Sequence, residues 1–120
     1  MKTWAVVGLG NNPERAAFGV AKLLQDKGHR IIPVYPRAET VHGEVGYKTL
    51  SEIPGPIDVV DCFVKSTLVG KVVDEAIAIG AKAVWLQLDV IDNDAIARAQ
   101  AAGLITVMDR CPAIEYRKKS

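Results

Sequence analysis

Short apolar runs alternate with longer stretches of helical period along the chain, and that alternation restricts it to a parallel sheet flanked by helices. Thr3–Val7 is the first run, and it breaks at Gly8-Leu9-Gly10. From Arg15 to Lys27 the apolar residues Ala17, Val20, Ala21 and Leu24 recur at i, i+3, i+4 and i+7, which is one helical stripe, and Gly28 sits where a C-terminal cap belongs. Arg30–Tyr35 reads as the second strand. Its interior Pro33 lacks a ladder donor, so pairing is expected mostly before it. A short helix is expected near Thr49–Glu52 within an irregular stretch, and Gly55-Pro56 punctuates the entry to a third strand, Ile57–Phe63. The next helix spans Leu68–Ile79, with Val69, Val72, Val73, Ala76 and Ile77 turned inward. Lys82–Leu88 is the fourth strand. Asp92 or Asn93 caps a helix that turns Ile96, Ala99 and Ala102 inward before Gly103, and Leu104–Met108 is the fifth strand.

Five strands and four helical segments with short connections predict one α/β domain over residues 1–120, a doubly wound sheet of five parallel strands. Runs such as Val59-Val60 and Ala83–Leu86 suit strands covered on both faces. Right-handed crossovers place every strand-to-helix turn along one edge, where such folds bind ligands. With 15 basic against 14 acidic side chains, the charge balance speaks against a protein held to nucleic acid mainly by electrostatics. No stretch approaches the roughly 20 apolar residues of a membrane span, and no secretory leader is visible. Two cysteines, Cys62 and Cys111, are too few for a disulfide framework and read as free thiols, so the expected compartment is the cytoplasm.

The turn Gly8-Leu9-Gly10-Asn11-Asn12-Pro13 stands between first strand and first helix, the place of a Rossmann-like phosphate turn. Glycine permits positive φ and lets a phosphate approach the backbone, while the helix N-terminus supplies free N–H groups and partial positive charge. Asn11 and Asn12 add donors or a cap. The G-x-G-x-x-G fingerprint is incomplete, because Pro13 holds its third glycine position. A nicotinamide site wants an acidic residue at the end of the second strand, where this chain has Val34-Tyr35-Pro36-Arg37. Arg37 suits a ribose phosphate instead, as found in NADP and in coenzyme A.

Longer blocks carry a family resemblance. Ala5-Val6-Val7-Gly8, Asn12-Pro13-Glu14-Arg15, Ile32-Pro33-Val34 with Pro36-Arg37, Ile57–Asp61 with Phe63, and above all Glu75–Leu88 and Ala101–Glu115 resemble the small CoA-binding proteins. Their Rossmann-like domain also occurs in the alpha subunit of succinyl-CoA synthetase. The resemblance implies coenzyme A or acyl-CoA as ligand, a pyrophosphate over Gly8, Gly10, Asn11 and Asn12, and Arg15 near the same phosphates. It implies adenine and ribose phosphate near Tyr35, Pro36 and Arg37. The loop Phe63–Ser66, with Val64 and Lys65 at its centre, would face pantetheine or nucleotide, and Gln87 at the end of the fourth strand could reach ligand. The chain departs from the family at Gly10 and at Ala16-Ala17, where Ser and Pro-Ser are common, at Tyr35 (often Asn or Ser), at Val64 (usually Arg) and at Asp89 (commonly Gly).

Catalysis is not expected. His29 and His42 have no metal-ligand spacing and read as surface residues, and Cys62 reads as a core thiol. Cys111, beside Arg110, is the better candidate for chemistry, although a structural role is favoured. Asp61, Asp89 and Asp109 fall near strand ends and are expected to cap the helices that follow. The expected function is therefore non-catalytic capture of coenzyme A, alone, as a homodimer or beside a partner enzyme. An NADP-dependent oxidoreductase and a scaffold that has lost its nucleotide are the alternatives.

Overall fold

The computed structural model describes residues 2–112. Its strands are β1 (Thr3–Val7), β2 (Arg30–Val34), β3 (Val59–Cys62), β4 (Ala83–Leu86) and β5 (Ile105–Val107). They form one all-parallel sheet in the order β2-β1-β3-β4-β5. Three helices connect them: α1 (Ala16–Asp26), α2 (Ser66–Ala78) and α3 (Asn93–Ala101); a single 3-10 turn covers Leu50–Glu52. This is the Rossmann-like doubly wound architecture.

Two cores of unequal size flank the sheet. Ala17, Val20, Ala21 and Leu24 of α1 pack with Trp4, Val6, Ile31 and Val59 on one face. On the other, Val69, Val73 and Ala76 of α2 and Ala95 and Ala99 of α3 cover Ala5, Val7, Val60, Cys62, Val84 and Leu86. Alternate strand residues thus enter opposite cores, as the period of two requires. The Arg98–Asp74 ion pair at 2.9 Å joins α3 to α2.

Pairing does not stop at Pro33. Strand β2 stays in register with β1 through Pro33↔Val6 and Val34↔Val7. The even-numbered residues face β1, as shown by Arg30 N–H donating to the Lys2 carbonyl and Gly8 N–H to that of Val34. Pro33 therefore directs its missing donor away from β1, while its carbonyl accepts from Tyr47 N–H at 2.9 Å. The expected inward face of α3 also shifts. Ala95 and Ala99 are buried, Ile96 is half-buried and Ala102 is exposed, because the helix ends at Ala101.

Candidate functional site

Strands β1 and β3 lie side by side, yet the chain leaves them in opposite directions, to β2 and to β4. A crevice opens at the carboxyl ends of two such strands. Its floor is a close approach of backbone. Phe63 N–H donates to the Val7 carbonyl at 2.8 Å, and Gly8 sits at φ +99, where any Cβ would collide with the Phe63 carbonyl oxygen. Only glycine meets both demands.

Three cavities lie along this edge and share Arg15. The first, about 340 Å³, is lined by Gly10, Asn11, Asn12, Arg15, Tyr35, Arg37 and Glu39. The second, about 390 Å³, runs from Arg15, Ala16 and Ala17 past Phe63, Val64 and Lys65 to Gln87. The third, about 520 Å³, includes Gly8, Tyr35, Pro36, Lys48, Val64, Lys65, Lys71 and Glu75 in its wall. Gly8, Gly10, Asn11, Asn12, Arg15, Tyr35, Pro36, Arg37, Phe63, Val64, Lys65 and Gln87 each line at least one of them, whereas Ser66 lines none and its hydroxyl accepts from Ile91 N–H at 2.9 Å. Although the whole chain carries a formal charge of only +1, Arg15, Arg37, Lys48, Lys65 and Lys71 face these cavities against two carboxylates, Glu39 and Glu75.

Helix termini add to that field. The N-caps of α1 and α2 are Arg15 and Lys65, and neither makes a side-chain capping bond. Helix α3 is different: Asp92 Oδ1 accepts from Ala95 N–H at 3.0 Å. The helix away from the three cavities is thus capped by its own chain, while the two beside them present uncapped first turns. First-turn N–H groups lack intrahelical partners and attract anions. Asn12 closes a local turn, its Oδ1 accepting from Glu14 N–H at 3.0 Å. Asn11 is held by the loop after β2: its side-chain amide donates to the Thr40 carbonyl at 2.6 Å, and its backbone N–H donates to Glu39 Oε1 at 2.7 Å.

Gln87 is 6 % exposed and its Oε1 has no hydrogen-bond partner among the described residues. Glu75 is committed elsewhere, since its carboxylate receives Leu50 N–H at 3.3 Å and the Ser51 hydroxyl at 2.8 Å. Neither histidine and neither cysteine lines the three cavities. His42 is half-buried, with its Nε2 2.9 Å from the Phe18 carbonyl oxygen. His29 stacks obliquely on Trp4, with ring centroids 5.9 Å apart; burial, then the nearby N-terminal and Lys2 charges, lowers its pKa. Cys111 is half-buried against the α1-side core, and Trp85 donates its indole N–H to the Arg110 carbonyl at 2.8 Å.

Neither Asp61 nor Asp89 caps the helix that follows it, and the segment after Asp109 lies largely outside the described residues. Asp109 Oδ1 accepts from Asp89 N–H at 2.7 Å, tying two loops in which both residues have positive φ. Asp61 is fully buried between Val6 and Trp85 of the neighbouring strands, with no hydrogen-bond partner for either oxygen among the described residues. Burial raises its pKa well above the ordinary carboxylate range and does the same to the Cys62 thiol. Glu39, Lys48 and Lys71 were not singled out in the sequence. Lys71 sits on the exposed side of α2, and Glu39 lies five residues past β2, so no strand-end signal marks it.

The model of the CoA binding domain family matches residues 2–117. The chain belongs to this family. It is similar to the uncharacterized protein YneT of Bacillus subtilis (strain 168), with 36 % identity over 92 % of this chain and 82 % of that one. It also resembles the alpha subunit of acetate–CoA ligase (ADP-forming) II of Pyrococcus furiosus, 39 % identical over 71 residues, a match that covers 54 % of this chain but only 16 % of that subunit. Among solved structures, a hypothetical protein from Pyrococcus horikoshii OT3 superposes with a TM-score of 0.93 at 41 % identity, over 98 % of this chain and 82 % of that one. This CoA-binding domain has, among its described residues, no helix long and apolar enough to cross a membrane.

Proposed function

We propose that this CoA-binding domain captures coenzyme A or an acyl-CoA in the crevice between β1 and β3 and performs no chemistry on it. The carrying observation is the convergence on Arg15 of three cavities, two uncapped helix N-termini and four further cations. In this reading the pyrophosphate lies over Gly8–Asn12 with Arg15 beside it, and Arg37 takes the ribose phosphate near Tyr35 and Pro36. Pantetheine follows Val64 and Lys65 toward Gln87, whose unpartnered Oε1 would accept an amide N–H of the ligand.

Two features support capture over turnover. The two carboxylates of the crevice already receive donors from their own chain. The cysteines and histidines lie outside it. The match to the ligase subunit is too partial to carry that enzyme's activity to this chain.

Calorimetric titration of Arg37→Ala with coenzyme A and dephospho-coenzyme A tests the placement. A charge-assisted hydrogen bond predicts a loss of about tenfold or more for coenzyme A and little change for the dephospho form. Equal losses for both ligands sink the phosphate role of Arg37.

A further inference from the structure

We propose that Glu39 competes with ligand phosphate for the glycine turn, holding with its carboxylate the Asn11 N–H that a phosphate would take. The proposal rests on the reading of the crevice as a site for a phosphate-bearing ligand. Its core is geometric. Glu39 Oε1 stands 2.7 Å from the Asn11 nitrogen, within the range of charge-assisted bonds, and the same cavity holds Arg15 and Arg37. Neither arginine forms an ion pair with Glu39 among the described residues. The carboxylate is therefore directed at the turn and not at the nearest cations.

Three independent features fix it there. Ala38 has φ +50, a left-handed conformation that costs a residue with a Cβ and persists only where surroundings impose it. Gly46 runs against the same loop so closely that a Cβ would collide with the Glu39 carbonyl oxygen. Asn11 also donates its side-chain amide to the Thr40 carbonyl at 2.6 Å, so the turn and the loop are joined at Thr40 as well as at Glu39. The fourth feature is a gap. Gly10 has no need of positive φ, yet a Cβ there would stand 3.2 Å from Glu39 Oε1, tighter than ordinary packing. Any side chain at this position would crowd the carboxylate. Glycine makes room for it.

A phosphate bound to Asn11 N–H meets a negative charge already in place and has to displace it. Glu39 thereby sets the affinity of the turn below what its N–H groups and arginines alone would give. It also discriminates by charge, since a ligand group that does not need this N–H meets no competitor.

The test is titration of wild type, Glu39→Ala and Glu39→Gln with inorganic pyrophosphate, adenosine and coenzyme A, with melting curves to establish that each variant is folded. Glu39→Ala is expected to bind pyrophosphate about tenfold more tightly than wild type, the size of one charge-assisted bond. Glu39→Gln, whose amide oxygen still accepts from Asn11 but bears no charge, falls between them, and adenosine shows no gain. Equal, weaker or undetectable pyrophosphate binding by Glu39→Ala overturns the proposal. So does a selective loss of adenosine, which would make Glu39 an acceptor for a ribose hydroxyl. A gain on pyrophosphate with no coenzyme A binding by any of the three proteins would leave the competitor standing and remove coenzyme A as the ligand.

Discussion

Asp61 is the residue whose environment departs furthest from its chemistry. Both its oxygens are buried in the middle of the sheet without partners among the described residues, and desolvation drives its pKa upward. The native state consequently holds a proton that the unfolded chain releases near pH 4. Above that pH the native state binds more protons than the unfolded one, so this group's contribution to stability falls as pH rises toward its folded pKa. Asn, of nearly the same shape and always neutral, removes that dependence. The Asp61→Asn variant is expected to match wild type near pH 4 and to exceed it at pH 7–8, by about 1.4 kcal/mol for each unit of upward displacement reached. Urea unfolding at several pH values reads this directly; parallel pH profiles for the two proteins would mean that Asp61 is ionised in the fold. Its neighbour Cys62, equally buried, shares the penalty on its charged form.

At the scale of elements, the uncapped starts of α1 and α2 carry a trade between stability and binding. Lys65 is the N-cap of α2 in extended conformation, without a side-chain bond to the first turn. Lys65→Ser supplies an acceptor for that turn and should stabilise the fold by about 0.5–1 kcal/mol. It also removes a cation from two of the three cavities and occupies a free N–H, so coenzyme A should bind several-fold more weakly. Melting and titration of this one variant check both signs; no gain in stability would mean that the first turn is already satisfied. These element starts show what local sequence could and could not convey. The alternation of apolar runs yielded β1 at its observed bounds and the stripe of α1 residue for residue, because packing on one face follows a fixed period. Pro33 misled about β2, since a missing donor matters only on the side facing β1. Glu39 left no local trace at all. Its place depends on φ at Ala38 and on the close passage of Gly46, both set by tertiary contacts. Asp61 was misread for the converse reason: an acidic residue near a strand end has the look of a cap, and only the register with Val6 and Trp85 shows it enclosed.

The molecule as a whole concentrates its charge rather than accumulating it. A chain with net +1 places five cations along one edge of its sheet, while Asp26, Asp58 and Asp74 sit in ion pairs elsewhere and Asp61 in the core. Such an arrangement is strained by mutual repulsion until an anion joins it, so ligand binding and global stability should be linked. A ligand that binds only the native state, at a hundred times its dissociation constant, adds about 2.7 kcal/mol, which for a domain of this length corresponds to about 10 °C in melting temperature. Coenzyme A is expected to produce that shift, dephospho-coenzyme A a smaller one at equal concentration, and NADPH, which shares the pyrophosphate and the ribose phosphate but has no pantetheine arm, a smaller one as well. A shift with NADPH alone would redirect the family fold to a redox cofactor. No shift with any of the three would mean that Glu39 outweighs the cations, leaving a crevice built for phosphate that its own chain keeps closed to it.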